Sequence, residues 1–330
     1  MVRVMTDDRT DDEPPLVSVI LPTYNRPEYL KRAVRSVCRQ TYTPIEILVI
    51  DDHSPEPANE TLNGVDCGSV SNIRCVRHAE NRGANAARNT GIREAEGEFI
   101  AFLDDDDRWL REKTSKQVER FRTGPDELGV VTVGSRIVDE NGIQMGVKRS
   151  SIEGNAISQL LSGDMVGSFS RVMIRAGAVS RAGLLDESFP SWQDREWYFR
   201  LANHYTFASE GTILVERRMD AGDRISDDFQ QKRDVSYPKF IEKHRDFAAE
   251  RGRISERRFI ASLSRTLGFS GLSNGYYVDA IKYLLVALVY YPFDLRTYLY
   301  LCLAIGGPFT FVPASRFKRW LSGLFFTETA

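Results

Sequence analysis

The sequence predicts an α/β fold in which a mostly parallel, Rossmann-like sheet is flanked by helices and followed by a helical C-terminal extension. Two observations lead to this fold class. Through the first 125 residues, short apolar runs alternate with segments of helical periodicity, as in the strand–helix–strand units of a parallel sheet. Beyond residue 225, charged and then apolar segments carry helical patterns.

The composition excludes several classes of protein. The 330 residues are 42% hydrophobic and 27% charged, which is typical of a globular chain. The formal net charge of −2 lacks the basic excess of nucleic-acid-binding proteins, so we expect no nucleic acid partner. Cys38, Cys67, Cys75 and Cys302 lack CxxC spacing, which predicts neither structural zinc nor a disulfide framework and favours a reducing, cytoplasmic setting. Residues 1–15 are polar and acidic, and we expect a disordered tail there and not a signal peptide.

The first half of the sheet is predicted from four apolar runs. They predict strands at residues 17–21, 45–50, 73–77 and 99–103. Pro27 is predicted to open the first helix, with Asn25 as its cap. The helix after Asn81-Arg82-Gly83 is rich in small residues and can therefore pack closely against its neighbours.

Polar residues follow three of these strands, at the edge where open α/β sheets bind their ligands. The strands end at Thr23-Tyr24-Asn25, at Asp51-Asp52 and at the four carboxylates Asp104–Asp107. Like charges repel unless a cation offsets them, and oxygen ligands suit Mg²⁺ or Mn²⁺ bound to a diphosphate. In the alternative interpretation, Asp107 caps the next helix in a solvated acidic turn, and Asp51-Asp52 is a plain turn cap. The first strand–helix turn lacks the glycine spacing of dehydrogenases and P-loop kinases, which argues against both.

The alternation loosens beyond Gly124-Pro125. Strands are predicted at 130–133, 143–147 and 171–174, and helices at 155–162 and 176–182. A further helix carries an apolar stripe that includes Trp197 and Tyr198, and Asp194 at its start leans toward the side of this stripe.

The order of these motifs resembles the family 2 glycosyltransferases, which have the GT-A type nucleotide-diphospho-sugar transferase fold. The matching segments are VSVILPTYNR (17–26), ILVIDDHS (47–54), NRGANAARNTG (81–91), FLDDDDRW (102–109) and QD (193–194). Each motif is weak alone, but their order and spacing over roughly the first two thirds of the chain are specific. The resemblance implies transfer of a sugar from a nucleotide donor to an acceptor hydroxyl, with inversion and with Mg²⁺ or Mn²⁺ as cofactor.

The resemblance also implies residue roles at the donor site. The residues expected to line or border the nucleotide are Pro22, Thr23, Tyr24, Asn25, Asp51, Asp52, Arg82 and Gly83. Of these, Asp52, with Asp51 beside it, is expected to contact the nucleobase. Arg88 would reach the diphosphate, the alternative being a surface salt bridge. Asp104 and Asp106 match the outer members of the DxD motif and would face one cation, with Asp105 between them at the donor.

Asp194 matches the catalytic base of the family's Glu-Asp motif, and Gln193 replaces the usual Glu. Because a helix N-terminus favours the ionised form of an acid, we expect Asp194 to be a carboxylate at neutral pH. Glu196 and Asp186 are rival candidates for the base. Many relatives also supply a late metal-binding His. This region of the chain has none, so either Asp220 or Asp223 substitutes, or the DxD motif and the phosphates hold the metal alone. Trp192 is expected either to stack on the acceptor sugar or to belong to the core.

Three regions are expected along the chain. The acidic tail precedes a catalytic domain at 16–220, with a nucleotide-binding half at 16–125 and an acceptor half at 126–220. The helical region at 221–330 contains two apolar segments. We expect them to form a hydrophobic hairpin, and we favour this over a pair of transmembrane helices. Residues 316–326 combine basic and aromatic side chains, which predicts an interfacial helix on the cytoplasmic face of a membrane.

The leading hypothesis is thus an inverting, metal-dependent glycosyltransferase. Its donor would be a UDP-, GDP- or TDP-linked sugar, and its acceptor a saccharide or a lipid-linked saccharide. A second hypothesis is a catalytically silent nucleotide-sugar or glycan-binding module on the same fold, which would not need a carboxylate at Asp194. A third, a nucleotidyltransferase, needs a glycine-rich loop that Pro22-Thr-Tyr-Asn-Arg26 does not supply.

Overall fold

A computed structural model describes residues 13–68, 70, 72–218 and 228–313. The chain divides into two compact units, and each is described by itself. The sheet unit comprises residues 1–156, 166–187 and 193–219, and the helical unit comprises residues 157–165, 188–192 and 220–330. Most of the predicted acidic tail, Asp220, Asp223 and the predicted interfacial helix at 316–326 lie outside the described residues.

Nine strands form one sheet within the described part of the sheet unit. In chain order they are β1 (Val17–Thr23), β2 (Ile45–Asp51), β3 (Asn72–Arg77), β4 (Phe99–Phe102), β5 (Asp107–Trp109), β6 (Leu128–Val138), β7 (Gln144–Lys148), β8 (Val172–Arg175) and β9 (Thr206–Arg218). The strand order is β3-β2-β1-β4-β8-β6-β9-β5, and β7 pairs with β6.

The sheet has a parallel half and a mixed half. Strands β3, β2, β1 and β4 are parallel, as the alternation of strands and helices predicts. Strand β8 runs antiparallel to both of its neighbours, β4 and β6, while β6 and β9 are parallel to each other. The prediction of a mostly parallel sheet therefore holds for β3, β2, β1 and β4, and the remainder is mixed because β8, β7 and β5 pair antiparallel with their neighbours.

Helices connect and cover these strands. Those of the sheet unit are α1 (Pro27–Cys38), α2 (Ala58–Thr61), α3 (Ala84–Glu94), α4 (Lys113–Arg122), α6 (Ala176–Ala182) and α7 (Gln193–Ala202). Those of the helical unit are α5 (Ile157–Leu161), α8 (Phe229–Gln231), α9 (Tyr237–Ala249), α10 (Arg253–Ser273), α11 (Tyr277–Tyr290) and α12 (Leu295–Ile305).

The core of the parallel half explains why small residues recur in α3. Every residue of β1, β2 and β4 is buried, the pattern expected of strands covered on both faces. A Cβ atom added to Gly91 of α3 would lie 2.4 Å from Cγ2 of Ile20. This close approach confirms the predicted tight packing of the small-residue helix against the sheet.

The structure corrects three local predictions. Asn25 does not cap α1, because Arg26 occupies the cap position and Asn25 has a φ of 53°. Asp107 does not cap the next helix either, since it begins strand β5 and pairs with Arg217 of β9, whereas α4 starts at Lys113.

Cys38 and Cys67 form a disulfide, contrary to the expectation from cysteine spacing, whereas Cys75 and Cys302 are free and exposed. The spacing argument failed because α1 and the loop after α2 bring distant cysteines together, with the Cα atoms 4.7 Å apart.

The helical unit contains the predicted apolar hairpin as α11 and α12. Leu272, Ala280, Leu284 and Ala304 form a buried cluster in which α10, α11 and α12 meet. Tyr291 and Pro292 end α11, as the proline predicts. None of the helices in the described ranges is long and apolar enough to cross a membrane.

Candidate active site

The ends of β1, β2 and β4 meet at one edge of the sheet, as the sequence predicts. Thr23 is the register partner of Asp51, and the next backbone N–H, that of Asp52, donates to Thr23 O over 2.9 Å. The Thr23 hydroxyl donates to Oδ2 of Asp105 over 2.9 Å. One threonine thus joins the first strand to the acidic cluster that follows the fourth.

Asp51 has a structural role in this geometry. Its Oδ1 accepts the backbone N–H of Ser54 over 2.7 Å, and its Oδ2 accepts that of Ala58 over 3.1 Å. Arg77 of β3 donates to the same Oδ2 over 3.0 Å. These contacts match the turn-cap interpretation of this carboxylate.

Asp52 holds the loop that precedes α3. Its Oδ1 and Oδ2 accept the backbone N–H groups of Arg82 and Gly83 over 2.9 and 2.7 Å. His78 lies with Nδ1 2.7 Å from Asp52 Oδ1 and with Nε2 2.9 Å from the Thr90 hydroxyl. Gly83 has a φ of 87°, a conformation that side chains disfavour. The predicted border residues Arg82 and Gly83 are thus fixed beside the edge.

The remaining residues of the first strand end differ in exposure. Pro22 is buried in β1 as the register partner of Ile50, whereas Tyr24 is 48% exposed and Asn25 is exposed. The backbone N–H of Asn25 donates to the Ser54 hydroxyl over 2.9 Å. Tyr24 and Asn25 therefore lie on the solvent side of the edge, where a ligand can reach them.

The acidic cluster forms a candidate metal centre. Carboxylate oxygens of Asp104, Asp106 and Asp107 lie within 4.8 Å of one another. The structure thus brings together the two predicted ligands and adds Asp107, which sequence reasoning considered as a helix cap. Asp105 is not part of this group. The Thr23 hydroxyl donates to one of its oxygens, and Arg26 Nη1 lies 3.3 Å from the other and 3.6 Å from Oδ2 of Asp106.

Without a cation, the carboxylates of the cluster are costly to ionise. The pKa of Asp107 is raised to about 7, chiefly by burial and in part by the charges of Asp106 and Asp104, whereas Arg217 and a hydrogen bond with Ser170 act to lower it. Burial also raises the pKa of Asp105 to about 6. Oδ2 of Asp107 is buried 3.5 Å from Arg217 Nε, and within the described ranges it accepts no hydrogen bond. A buried acceptor without a donor, beside two further carboxylates, fits a divalent cation.

Arg88 lies at this cluster and is not a surface residue. Its Nη2 donates to Oδ1 of Asp104 over 2.6 Å, and its guanidinium carbon lies 4.3 Å from the centre of the Phe169 ring. The side chain is buried, and its Nε and Nη1 have no acceptor among the described residues. The surface salt-bridge alternative is therefore wrong, and two donors remain for a ligand.

Asp194 is partly buried at the start of α7. Its Oδ1 accepts the backbone N–H of Arg195 over 2.7 Å. Trp197 anchors the helix, because its indole N–H donates to Gly183 O over 2.8 Å and its ring packs 5.7 Å from that of Phe102 in β4. The candidate base is thus attached to the strand that carries the acidic cluster.

The environment of Asp194 adds an electrostatic effect that opposes the helix N-terminus. The helix N-terminus was expected to favour the ionised form, but desolvation of the carboxylate is the largest effect and raises its pKa. The N–H of Arg195 and the charges of Arg88 and Arg217 lower the pKa, whereas Asp104 raises it. A raised carboxylate pKa brings a general base closer to working pH.

Of the two rivals of Asp194, Glu196 lies in a less suitable position. Glu196 is fully buried and paired with Arg200, with N–O distances of 2.9 and 2.8 Å. The backbone oxygen of Asp186 accepts the side-chain amide of Asn85 over 3.2 Å. Trp192 has a φ of 61° and packs against Phe240 in the helical unit, which fits its core interpretation.

Sequence reasoning missed two buried polar groups. The hydroxyl of Tyr198, one helical turn after Asp194, is buried without a partner in the described part of the chain. Arg171 is buried, donates through Nε to Val133 O over 2.6 Å, and has a pKa lowered by desolvation to about 10. The predicted strand at 171–174 begins with this arginine and is otherwise apolar, and that pattern could have indicated a buried charge.

Comparison with known proteins relates this site to sugar transfer. Residues 18–181 match the family model described as Glycosyl transferase family 2. The Escherichia coli protein named UDP-Glc:alpha-D-GlcNAc-diphosphoundecaprenol beta-1,3-glucosyltransferase WfaP is 29% identical over 220 residues, which cover 66% of this chain and 82% of that protein. An uncharacterized glycosyltransferase of Rickettsia felis is 29% identical over 210 residues, which cover 62% of this chain but 34% of that protein. The chain thus spans a minor part of the first curated relatives it matches.

Two groups of solved structures share the fold. S. aureus TarS 1-349 in complex with UDP-GlcNAc aligns with a TM-score of 0.59 and 20% identity, covering 83% of this chain and 81% of that chain. The mannosyltransferase PcManGT from Pyrobaculum calidifontis, in complex with GDP-Man and Mn²⁺, aligns with a TM-score of 0.52 and 15% identity, covering 96% and 89%. At these identities the likeness establishes the GT-A type fold.

Proposed function

The chain belongs to glycosyltransferase family 2, and from that premise we propose that it is an inverting, metal-dependent glycosyltransferase. It would move a sugar from a nucleotide-sugar donor to an acceptor hydroxyl. The observation that carries the proposal is the convergence of Asp104, Asp106 and Asp107 within 4.8 Å, on the strand end to which the helix of Asp194 is anchored.

The donor would bind along the edge of the sheet. Mg²⁺ or Mn²⁺ held by Asp104, Asp106 and Asp107 would neutralise the charge that develops on the leaving nucleoside diphosphate. Arg88 would add its two unused donor nitrogens, Nε and Nη1, to the diphosphate oxygens. Tyr24 and Asn25, which reach solvent, and the loop of Arg82 and Gly83 would border the nucleoside.

Asp52 and Asp51, the residues expected at the nucleobase, already hold parts of the fold. Both carboxylate oxygens of Asp52 already accept backbone N–H groups, and Asp51 serves the turn after β2. A carboxylate oxygen has two acceptor sites, and Oδ1 of Asp52 already contacts both Arg82 N and His78 Nδ1. Oδ2 accepts only the N–H of Gly83, so it can still accept an N–H of the nucleobase while Asp52 holds the loop. UDP-, GDP- and TDP-linked sugars all remain candidates, since the solved relatives bind UDP-GlcNAc and GDP-Man.

The acceptor would be activated by Asp194. A sugar hydroxyl is a weak nucleophile, so its proton must pass to a positioned base as the new bond to C1 forms. Asp194 would accept that proton, and attack from the side opposite the leaving diphosphate inverts the anomeric centre. No covalent intermediate is required, and the site residues described above include no serine or cysteine nucleophile.

The acceptor class follows from the name of a relative. WfaP is named for a diphosphoundecaprenol-linked sugar acceptor. A saccharide or lipid-linked saccharide is therefore the proposed acceptor here, with the protein at the cytoplasmic face of a membrane.

A panel of UDP-, GDP- and TDP-sugars tests the proposal. Each sugar is assayed for thermal stabilisation of the protein, and for hydrolysis or transfer, with Mg²⁺, Mn²⁺ or a chelator. We expect metal-dependent stabilisation by one donor class together with turnover. Stabilisation without any turnover, equal in the wild type and in Asp194→Asn, would instead identify the silent binding module.

A further inference from the structure

The turn between α11 and α12 exposes large apolar side chains. This segment, residues 289–296, is called the hairpin tip. Val289, Phe293 and Leu295 in it are 72%, 79% and 81% exposed. Single exposed apolar residues are common, but neighbouring ones with so little cover mark an interaction surface.

These side chains are not needed for the packing of the hairpin itself. The inward face of α11, formed by Ala280, Leu284 and Ala287, is buried, and Ala304 of α12 joins the same cluster. The exposed residues lie on the opposite side of the helices or in the turn. The helical unit therefore has a satisfied core and a separate apolar tip.

Two arginines of α10 are fixed at this tip. Arg257 donates to the backbone oxygens of Tyr290 and Val289, each over 2.8 Å. Arg258 donates to the Tyr291 hydroxyl over 3.2 Å and lies 5.1 Å from the centre of its ring. Both arginines are exposed, so their charges face the same solvent as the apolar residues.

The acidic residue of the tip is neutralised within the protein. Asp294 forms an ion pair with Arg265, accepts the backbone N–H of Arg296 over 3.2 Å and accepts the Thr297 hydroxyl over 3.0 Å. Arg296 itself is exposed. The outward charge of the tip is therefore positive.

We propose that the hairpin tip docks on a membrane surface that contains anionic lipids. Val289, Phe293 and Leu295 would enter the boundary between headgroups and acyl chains, while Arg257, Arg258 and Arg296 contact lipid phosphates. A second copy of the chain fits this surface less well, because a two-fold interface would bring the same arginines together. The inference rests on the proposed membrane location of the enzyme and adds the surface that provides it.

Vesicle flotation with the full chain tests the tip. Phosphatidylcholine vesicles are compared with vesicles that also contain phosphatidylglycerol. We expect binding to the anionic vesicles that weakens with added salt, and a loss of roughly tenfold or more in Phe293→Ser with Leu295→Ser. Arg258→Gln with Arg296→Gln should reduce binding to the anionic vesicles and flatten the salt dependence.

Phe309→Ser provides the matched control, because Phe309 is 89% exposed but lies beyond the end of α12. This variant should bind vesicles as the wild type does. The proposal is overturned if the full chain does not bind the vesicles, or if the tip variant (Phe293→Ser with Leu295→Ser) binds as well as the control Phe309→Ser. It is also overturned if removal of residues 314–330 abolishes binding that the tip variant retains. A tip variant that alters the oligomeric state without altering lipid binding would assign the surface to a second copy. Donor-induced thermal stabilisation is measured in parallel, so loss of lipid binding is distinguished from failure of the transferase proposal.

Discussion

Arg88 and Asp104 form an ion pair at the carboxyl end of β4, with 2.6 Å between Nη2 and Oδ1. The pair links α3 to the acidic cluster, and the ring of Phe169 covers the guanidinium. A desolvated cation in this position restrains one carboxylate of the candidate metal centre and keeps two donor nitrogens near the place proposed for the diphosphate.

Replacement of this arginine should weaken donor binding. Arg88→Met removes the charge and roughly keeps the apolar volume, and we expect donor affinity to fall about 10- to 100-fold, since hydrogen bonds to charged groups contribute about 1.5–3 kcal/mol. Isothermal titration with the donor in Mg²⁺ measures the change. Arg93→Met, at an exposed position of the same helix, is the control and should bind normally. Unchanged affinity in Arg88→Met, with only a lower free energy of unfolding, would make Arg88 a structural residue.

The metal assignment predicts a defined loss in Asp106→Ala. Asp106 is partly exposed, so its removal should leave the fold intact while taking one ligand from the candidate centre. Donor-induced stabilisation should then no longer depend on Mg²⁺ or Mn²⁺, as thermal unfolding with and without chelator will measure. Asp126→Asn, exposed in the loop before β6, should behave as the wild type. Metal-stimulated donor binding that survives in Asp106→Ala would contradict the assignment.

Lys113 provides a test of pH dependence away from the site. It is fully buried, its ammonium lies 3.7 Å from the centre of the Trp109 ring, and it donates to Gln117 over 2.6 Å. Desolvation lowers its pKa well below the usual value. The unfolded chain keeps this proton up to a pH of about 10.4, whereas the folded protein loses it at the lowered pKa. Between these two pKa values the unfolded state binds more protons, so stability should rise with pH in that range.

Urea denaturation across neutral and alkaline pH measures this contribution. Lys113→Met should remove the rise, so the free energies of unfolding of the two proteins should diverge as the pH increases. Lys116→Met, on the same helix but only partly buried, should retain the rise. Parallel curves for the wild type and Lys113→Met would show that the ammonium stays charged in the fold.

The parallel half of the fold and the position of the site follow from the sequence because they depend on local patterns. The buried runs of β1, β2 and β4 and the polar residues after them specify which strand ends carry the chemistry. The role of Asp107 depends on its pairing in the sheet with Arg217, which lies more than a hundred positions away. No local sequence pattern predicts that pairing. The same reason applies to the disulfide and to the contact between His78 and Asp52.

The pKa of Asp194 depends on tertiary packing in a similar way. A helix N-terminus can be predicted from sequence, but the desolvation that raises the pKa of Asp194 comes from the packing around it. Burial is a property of the whole fold, so the sign of this pKa shift became available only with the structure. The position of Asp194 at the start of α7, by contrast, was predicted from the sequence, and its catalytic role stays a prediction.

The final prediction concerns that role. Asp194→Asn keeps the shape of the side chain and removes the proton acceptor, so transfer should fall by roughly 10²- to 10⁴-fold, the usual contribution of a general base. Donor affinity should change little, because the proposed contact is with the acceptor. Steady-state transfer rates and donor titration measure the two effects separately.

Asp186→Asn is the matched control, since this rival carboxylate lies on the loop before α7 and should support near-normal transfer. The raised pKa of Asp194 adds a second signature: the rate should decline on the acid side at a pH above that expected for an ordinary aspartate, because the base must be ionised to accept a proton. Near-normal transfer by Asp194→Asn would remove Asp194 from the mechanism. Loss of donor binding in the same variant would mean that its carboxylate acts on the metal or on the fold, because a base that contacts the acceptor alone cannot change donor affinity.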